Sequence, residues 1–345
     1  MQIQENISLK QYNTFGIDVN AKQFAIFYTI DQLQQLLAYA TASGMPLNAP
    51  DQQLLILGGG SNILFTQDFN GLVLKNELKG IELVKEDTSY YYVKAGAGEN
   101  WHGLVMHCIQ HGYAGLENLS LIPGCAGASP MQNIGAYGVE IKDVFESLEA
   151  YHIHDKTTVQ FTLNDCAFGY RESVFKRRYK GQFIITSVTY RLRKQPVFNT
   201  SYGAIEQELE KMGVTELSIK AISQAVINIR SSKLPNPAEI GNAGSFFKNP
   251  QIPQQQFNEL KQAHPGIPGY PAGNNEVKVA AGWLIEQCGW KGYRDGDTGV
   301  HAKQALVLVN YSQASGSDVY ALSGRIIESV KQAFNIVLER EVNIV

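Results

Sequence analysis

The residues best suited to chemistry in this 345-residue chain fall in a few short stretches. The longest is Ile122-Pro-Gly-Cys-Ala-Gly-Ala-Ser-Pro-Met-Gln-Asn-Ile-Gly-Ala-Tyr-Gly138, with four glycines and three alanines. No residue from Asn118 to Val139 carries a formal charge, although 18% of the chain does. Small residues let a backbone approach a partner closely, and Pro123 and Pro130 stiffen the path, so less entropy is lost when it orders. Such a run can turn backbone N–H groups toward a phosphate. A second stretch is similar: Leu54–Leu57 reads as a buried strand that runs into Gly58, Gly59, Gly60, Ser61 and Asn62. No Gly-Lys-Ser/Thr closes it as in a P-loop, and Ile63 stands where a dinucleotide fingerprint needs its third glycine. Gly96-Ala97-Gly98 fails the same test at Trp101. The two stretches together suggest a diphosphate-bearing ligand held by neither of those devices. A tight, buried turn system is the alternative.

Three further segments are richer than structure alone demands. Gly169-Tyr170-Arg171-Glu172-Ser173 sets an arginine among aromatic residues. Gly241-Asn-Ala-Gly-Ser-Phe-Phe-Lys-Asn-Pro250 places Ser245 after a flexible turn, with Lys248 and Asn249 nearby. Leu338-Glu339-Arg340-Glu341-Val342 is a charged cluster expected at the end of an apolar strand, Ile336–Leu338. Taken singly, Ser245 also reads as a turn residue capping the next segment, Arg171 as a surface ion-pair partner and Glu341 as a solvated charge. No metal site is expected. His107 and His111 are spaced i, i+4 on a probable helix but off its apolar face, His152 and His154 share at most one strand face, and no HExxH order is present.

The elements that must position these residues follow from periodicity. Asp31–Ser43 reads as a helix capped by Asp31, with Leu33, Leu36, Leu37 and Ala40 on one face and Gly44 as its stop. Strands are expected at Leu54–Leu57, Gly71–Leu74, Tyr90–Val93 and Phe183–Leu192, with a hairpin over Leu148–Thr162 turning at Asp155-Lys156. Ser218–Arg230 reads as a helix with Ile219, Ile222, Val226 and Ile229 on one stripe, ending in a Pro-containing linker, 231–237. Beyond it come helices at Gln254–His264 and Ala280–Cys288, a strand at Ala305–Val309, and a long helix, Ser317–Phe334, striped by Val319, Leu322, Ile326 and Val330. The expected fold is α+β: a cofactor-binding unit over 1–230 made of two α+β lobes (1–78 and 79–230), a smaller α+β domain over 231–335, and a C-terminal strand over 336–345.

The motifs resemble the UDP-N-acetylenolpyruvoylglucosamine reductase family, type I. The likeness runs from Asn13-Thr-Phe-Gly-Ile17 through Gly58–Asn62, Gly96–Trp101, Ile122–Gly138, Gly169–Ser173, Gly241–Pro250 and Val300–Val309 to Glu341, nearly the whole chain. It implies FAD-dependent, NADPH-driven reduction of the enolpyruvyl ether of UDP-N-acetylglucosamine to UDP-N-acetylmuramate, with 1–230 as the FAD-binding unit, 231–335 as the substrate-binding domain and the 336–345 strand contributing to the active site. FAD contacts would fall on Gly58, Gly59, Gly60, Ser61 and Asn62, and on Ile122, Pro123, Gly124, Gly127, Ala128, Ser129, Gln132, Asn133, Gly135, Ala136 and Tyr137. The serine matching Ser245 would give the proton, the arginine matching Arg171 would steady the substrate carboxylate, and the glutamate matching Glu341 would assist. Tyr170, Tyr202, Lys233, Asn249 and Gln304 match substrate contacts, Tyr202 on a mobile loop that closes over the diphosphate. The sequence departs from the pattern at Arg340, where the family has Pro, and in a very short stretch after Glu341; both leave the support of Glu341 open.

Two other readings stay open: another FAD-dependent oxidoreductase on the same fold, for which Cys125 would be the one candidate for covalent flavin attachment, and a non-catalytic sugar-nucleotide binder. A net charge of −3, with no long basic run, supplies no electrostatic reason to bind nucleic acid. With 44% hydrophobic residues and a mean hydropathy of −0.17, a soluble protein is expected. The start, Met1-Gln-Ile-Gln-Glu-Asn6, lacks the order of a signal peptide, and no apolar stretch reaches membrane-spanning length. Four widely spaced cysteines, Cys108, Cys125, Cys166 and Cys288, suit free thiols in a reducing cytoplasm. The family analogy implies a monomer.

Overall fold

The structure is a computed structural model that describes residues 2–45, 53–201 and 203–345. Its architecture is α+β, and its packing divides the chain into two units. The first holds Met1–Ile7, Ala21–Gly59 and Phe69–Ser232; the second holds Ser8–Asn20, Gly60–Asp68 and Lys233–Val345. Two short early segments, which a linear division assigns to the first unit, thus pack with the C-terminal third.

In the first unit, Asn20–Phe27, Phe69–Asn76 and Leu54–Leu57 lie parallel in a four-stranded sheet whose other edge is Gln4–Ser8. The helix Ile30–Ala42 lays Leu33, Leu36, Leu37 and Ala40 on this sheet, against Phe27, Leu72 and Leu74. Its cap is Thr29 rather than Asp31: the Thr29 hydroxyl accepts the Gln32 N–H at 3.2 Å. The helix starts one residue before Asp31, which therefore falls in the first turn, where its charge suits the helix dipole. Five antiparallel strands form the second sheet, in the order Thr157–Thr162, Phe145–His152, Phe183–Arg193, Tyr90–Gly96, Ile81–Glu86. The helix Trp101–Gln110 packs Trp101, Leu104, Val105 and Cys108 on it, and the Trp101 indole N–H donates to the Leu119 carbonyl at 2.9 Å. The helix Ile219–Lys233 buries Ile219, Ile222, Val226 and Ile229 as expected, but it runs three residues past Arg230. Pro235 and Pro237 restrict the backbone only from position 234 onward, so residues 231–233 stay helical.

In the second unit, a four-stranded sheet orders Gly241–Asn242, Leu308–Asn310, Thr298–Val300 and Arg294–Asp295. A three-stranded sheet joins Gln251–Pro253, Glu276–Val279 and Gly269–Gly273. The helix Gly316–Phe334 is capped by Ser315 and Asp318 in a reciprocal box and buries Val319, Leu322, Ile326 and Val330. Each such side chain contributes roughly 1.5–3 kcal/mol on burial, against about 1 kcal/mol for the cap, so packing is what holds the helix. Two expected strands differ. Of Ala305–Val309 only the last residues form one, Leu308–Asn310, because Val307 N–H turns back to the Gln304 carbonyl. Ile336–Leu338 joins no ladder: Ile336 and Leu338 are buried and Val337 is 64% exposed, an alternation that gives an extended segment without a partner strand. Among the described residues no helix is long and apolar enough to cross a membrane.

The loop from Leu9 to Ile17 is organised by one buried side chain. Asn13 Nδ2 donates to the carbonyls of Leu9 (2.8 Å) and Ile17 (2.9 Å), and its Oδ1 accepts the Ile17 N–H (3.0 Å). Each bond is worth about 1 kcal/mol net, so Asn13→Ala is expected to lower the unfolding free energy by about 3 kcal/mol in denaturant titrations. A loss well under 1 kcal/mol would mean that other contacts order the loop.

Candidate active site

In the first unit, the two glycine-rich stretches meet. A Cβ on Gly59 would stand 2.7 Å from the Gly124 Cα, so the two backbones come closer than any other residue permits. Gly127 packs as tightly on Ala97, where a Cβ would fall 2.5 Å from the Ala97 Cβ. Protein packing therefore accounts for these two glycines, as the buried-turn alternative holds. Gly58 is different: a Cβ there would meet only Cys125, at 3.8 Å, an ordinary contact. Ile122, Gly124, Gln132, Gly135, Ala136 and Tyr137 are half-buried, while Pro123 and Ala128 are exposed. Ser129 and Asn133 are buried, and their side chains are engaged internally, Ser129 with Ala126 and Tyr190, and Asn133 with Glu140, Lys142 and Gly169. What those two can offer a ligand is backbone.

The Asn133 carboxamide also sets the turn that carries Arg171. Gly169 and Glu172 exchange backbone hydrogen bonds (3.0 and 3.3 Å), leaving Tyr170 and Arg171 at the tip. Arg171 has φ +55°, a left-handed conformation that a bulky side chain adopts at a cost of order 1–3 kcal/mol. Its Nη2 donates to the Gly135 carbonyl at 2.9 Å, which ties the guanidinium to the glycine-rich loop. Among the described residues, ten other than glycine have positive φ; Leu121, Asn133, Tyr137 and Arg171 are four of them. Strain gathered on one loop system points to a functional demand on its shape.

Sequence reasoning missed Arg230 and His102. Arg230 reads as an ordinary cation in a helix's last turns, yet its Nε donates to the Leu121 carbonyl at 3.2 Å and its guanidinium bonds Tyr137. Burial pulls the Arg230 guanidinium below its ordinary pKa; the Tyr137 contact opposes this, and repulsion from Arg171 adds to it. Arg230 at Leu121 and Arg171 at Gly135 thus both bring positive charge to the uncharged loop. His102 Nδ1 accepts the Leu121 N–H at 3.1 Å, and burial, with Arg230, holds its pKa down, so it is neutral at pH 7 with its proton on Nε2. The one signal available in the sequence was the uncharged loop itself, which leaves its counter-charges to come from elsewhere in the chain.

The second unit brings Ser245 and Glu341 together. Gly244, at φ +69°, ends a turn held by Asn242, whose Oδ1 accepts the Gly244 N–H at 2.9 Å. The chain then runs extended: Phe246 N–H donates to Leu306, Glu341 N–H donates to the Phe246 carbonyl at 2.8 Å, and Phe247 bridges Arg340. Asn62 Nδ2 donates to the Glu341 carbonyl at 3.3 Å, so the Gly60–Asn62 end of the first glycine stretch reaches the same place. Ser245 and Glu341 are both half-buried. Asn249 Oδ1 accepts the Ala281 N–H at 2.9 Å, and Gln304 Oε1 lies 3.2 Å from where a Gly282 Cβ would be, so these two flank one helix start. Lys233 is exposed at the end of its helix. Tyr202 lies outside the described residues. Among those residues, no group of three or more His, Cys, Asp or Glu side chains is gathered as metal ligands would be.

Known proteins match this chain in two stretches and over its whole length. Residues 236–345 match the family described as UDP-N-acetylenolpyruvoylglucosamine reductase, C-terminal domain, and residues 21–161 match the FAD binding domain family. A UDP-N-acetylenolpyruvoylglucosamine reductase from Amoebophilus asiaticus is 52% identical over the whole of both chains. One from Pseudomonas savastanoi pv. phaseolicola is 50% identical over 100% of this chain and 99% of its own. The chain belongs to the UDP-N-acetylenolpyruvoylglucosamine reductase family. The crystal structure of the Thermus caldophilus reductase covers 100% of this chain, and this chain covers 99% of it, at a TM-score of 0.69 and 25% identity.

As a member of that family the chain is an FAD-dependent oxidoreductase, and its residues fit the cofactor. The glycine-rich turn follows the carboxyl end of a parallel strand, the usual ligand side of such a sheet. The apposed Gly58–Gly59 and Gly124 backbones form one uncharged surface, and Lys75 and Lys79 act electrostatically on Cys125 beside it. Burial pushes the Cys125 thiol up, with the lysines only partly opposing, so it is a poor nucleophile for covalent flavin attachment. Gly59→Ala, by forcing its loop away from Gly124, is expected to lower the FAD content of the purified protein severely, measured by acid release and absorbance. Full FAD occupancy in that variant would separate the Gly59–Gly124 contact from cofactor binding.

Proposed function

We propose that Ser245, Arg171 and Glu341 carry out, in this chain, the reaction of its family: FAD-dependent reduction of the enolpyruvyl ether of a UDP-sugar, a step of peptidoglycan precursor synthesis. Bound FAD supplies the hydride, which originates in NADPH. As hydride reaches the terminal methylene carbon, the electron pair of the alkene moves onto the carbon bearing the carboxylate. The planar Arg171 guanidinium takes the growing carboxylate charge through two parallel N–H donors. The Ser245 hydroxyl gives its proton to that carbon from one face, which sets the new stereocentre. A hydroxyl is a weak acid in water, but a carbon-centred anion is basic enough to take its proton. Glu341 assists from the neighbouring segment. The observation that supports this reading most is the hydrogen bond from Glu341 N–H to the Phe246 carbonyl, which holds the backbones carrying the carboxylate and the hydroxyl side by side.

On the same reading, Lys233, Asn249 and Tyr202 take the diphosphate, Gln304 the nucleotide and Tyr170 a further substrate contact. FAD belongs with Gly58–Asn62 and the Ile122–Tyr137 loop. The family analogy implies a monomer; a net charge of −3 supports a chain that works without nucleic acid, and its free cysteines support a cytoplasmic one.

The two halves of the cycle separate the roles. Ser245→Ala is expected to leave flavin reduction by NADPH near normal in stopped flow. Reoxidation by the enolpyruvyl substrate should slow by roughly 10²–10⁴-fold, as for loss of a positioned acid, with Ser245→Cys recovering part of it. Normal reoxidation in Ser245→Ala eliminates it as the donor. Arg171→Lys keeps the charge but loses the two-pronged geometry. Its kcat should fall together with kcat/KM, because the carboxylate charge grows in the transition state; a Lys variant with normal kcat would reduce Arg171 to a general positive charge.

A further inference from the structure

Glu341 stands on a segment with very little sheet to hold it. One bridge, Phe247 opposite Arg340, joins residues 339–341 to 246–248, flanked by bonds from Lys248 N–H to the Glu339 carbonyl (2.9 Å) and from Glu341 N–H to the Phe246 carbonyl (2.8 Å). A ribbon of that length has no stability of its own in water. Beyond Glu341 it is tied by the Asn62 Nδ2 bond to the Glu341 carbonyl (3.3 Å) and by the pairing of Asn343–Ile344 with Ile63–Leu64; before Glu341 side-chain anchors hold it. Lys248 Nζ lies 2.6 Å from Glu339 Oε1, but the Glu339 side chain is 69% exposed and solvent weakens the pair.

Arg340 is the stronger anchor. Its Nε donates to the Ser323 hydroxyl at 2.7 Å, and Ser323 is fully buried, donating in turn to the Tyr320 carbonyl at 2.6 Å. The guanidinium carbon lies 4.3 Å from the centroid of the Tyr320 ring, within cation–π range. Ser323 and Tyr320 belong to the helix Gly316–Phe334, whose apolar stripe is buried in the same unit. The bridge geometry uses the N–H groups of 341 and 248, so Arg340 acts on the ribbon through its side chain and not through a ladder bond to Phe247.

We propose that Arg340 is a positioning residue for the protonation half of the reaction. By pinning the 339–341 ribbon to Ser323 and Tyr320, it holds the Glu341 carboxylate and the Ser245 hydroxyl in one fixed relation. This rests on the roles assigned above to Ser245 and Glu341, and the test keeps the two apart. Arg340→Met in the FAD-loaded protein is measured by stopped flow beside Ser245→Ala and Glu341→Gln. Flavin reduction by NADPH should run at the wild-type rate and KM should change little, while reoxidation by the enolpyruvyl substrate slows roughly ten- to hundredfold, the scale of a small misplacement of reacting groups. Arg340→Lys should recover part of the rate, and Ser323→Ala, which spares the cation, should show the same pattern more weakly. In flavin-free Arg340→Met, hydrogen exchange should quicken over residues 339–345 and stay unchanged over 93–108. Wild-type reoxidation in Arg340→Met while Ser245→Ala is slow overturns the proposal, as does equal slowing of both halves. Normal reoxidation in Ser245→Ala and Glu341→Gln overturns the assigned roles, and the proposal with them.

Discussion

The carboxamide of Asn133 holds three stretches of chain at once, and the shape of the first unit's loop system depends on it. Its Nδ2 donates to the Glu140 carboxylate (3.0 Å) and to the Gly169 carbonyl (3.1 Å), and its Oδ1 accepts the Lys142 N–H (3.0 Å). Asn133 itself has no exposed surface, so a bond it failed to make would be costly. The glycine-rich loop, the segment that follows it and the turn bearing Arg171 are thereby fixed to one another. Ser173 adds a second tie, its hydroxyl donating to the Met131 carbonyl at 2.6 Å. A guanidinium at the tip of a four-residue turn would otherwise sweep a wide arc. Here its base and its Nη2 are both held.

The strain in this region is the counterpart of that order. Leu121, Tyr137 and Arg171 adopt a backbone region that glycine fills at no steric cost. The residues kept there have side chains or carbonyls in use: Leu121 presents its carbonyl to Arg230, Tyr137 meets the same guanidinium, and Arg171 reaches Gly135. Glycines occupy the neighbouring positions where the need is room rather than a functional group, as at Gly59 against Gly124. The mixture is thus sorted by position.

What was legible in the sequence was local. The long helix was readable because its stripe and its length agree within one stretch, although its Ser315–Asp318 cap, two residues before the expected start, was not read. The uncharged loop stood out by composition alone, and family resemblance supplied the cofactor that composition could only suggest as a diphosphate. The rest depends on contacts between distant segments. Nothing in the types of Phe246 and Glu341 announces that their backbones bond. Ile336–Leu338 alternates like a strand because one face is buried, and alternation does not report whether a partner strand exists. Gly60 looked like part of a phosphate cradle; a Cβ there would also fall 1.9 Å from the Tyr12 carbonyl oxygen, a constraint that only the folded second unit reveals.

The composition of that second unit has a consequence for synthesis. Ile63–Leu64 pairs in parallel with Asn343–Ile344, Thr66 N–H bonds the Val345 carbonyl, and the Leu9–Ile17 loop sends its Phe15 carbonyl to Asn310. Residues 8–20 and 60–68 leave the ribosome early, yet their partners, Asn310 and Asn343–Val345, are made much later. The first unit has all of its strands and helices once Ser232 is clear, whereas the second stays open until residues 343–345 are made. During that interval Phe15, Phe65 and Leu64, all buried in the finished protein, wait without their partners. These early segments are then the ones exposed to chaperones and proteases. A ribosome that stalls between residues 232 and 343 leaves an N-terminal unit with two sticky, unmatched loops.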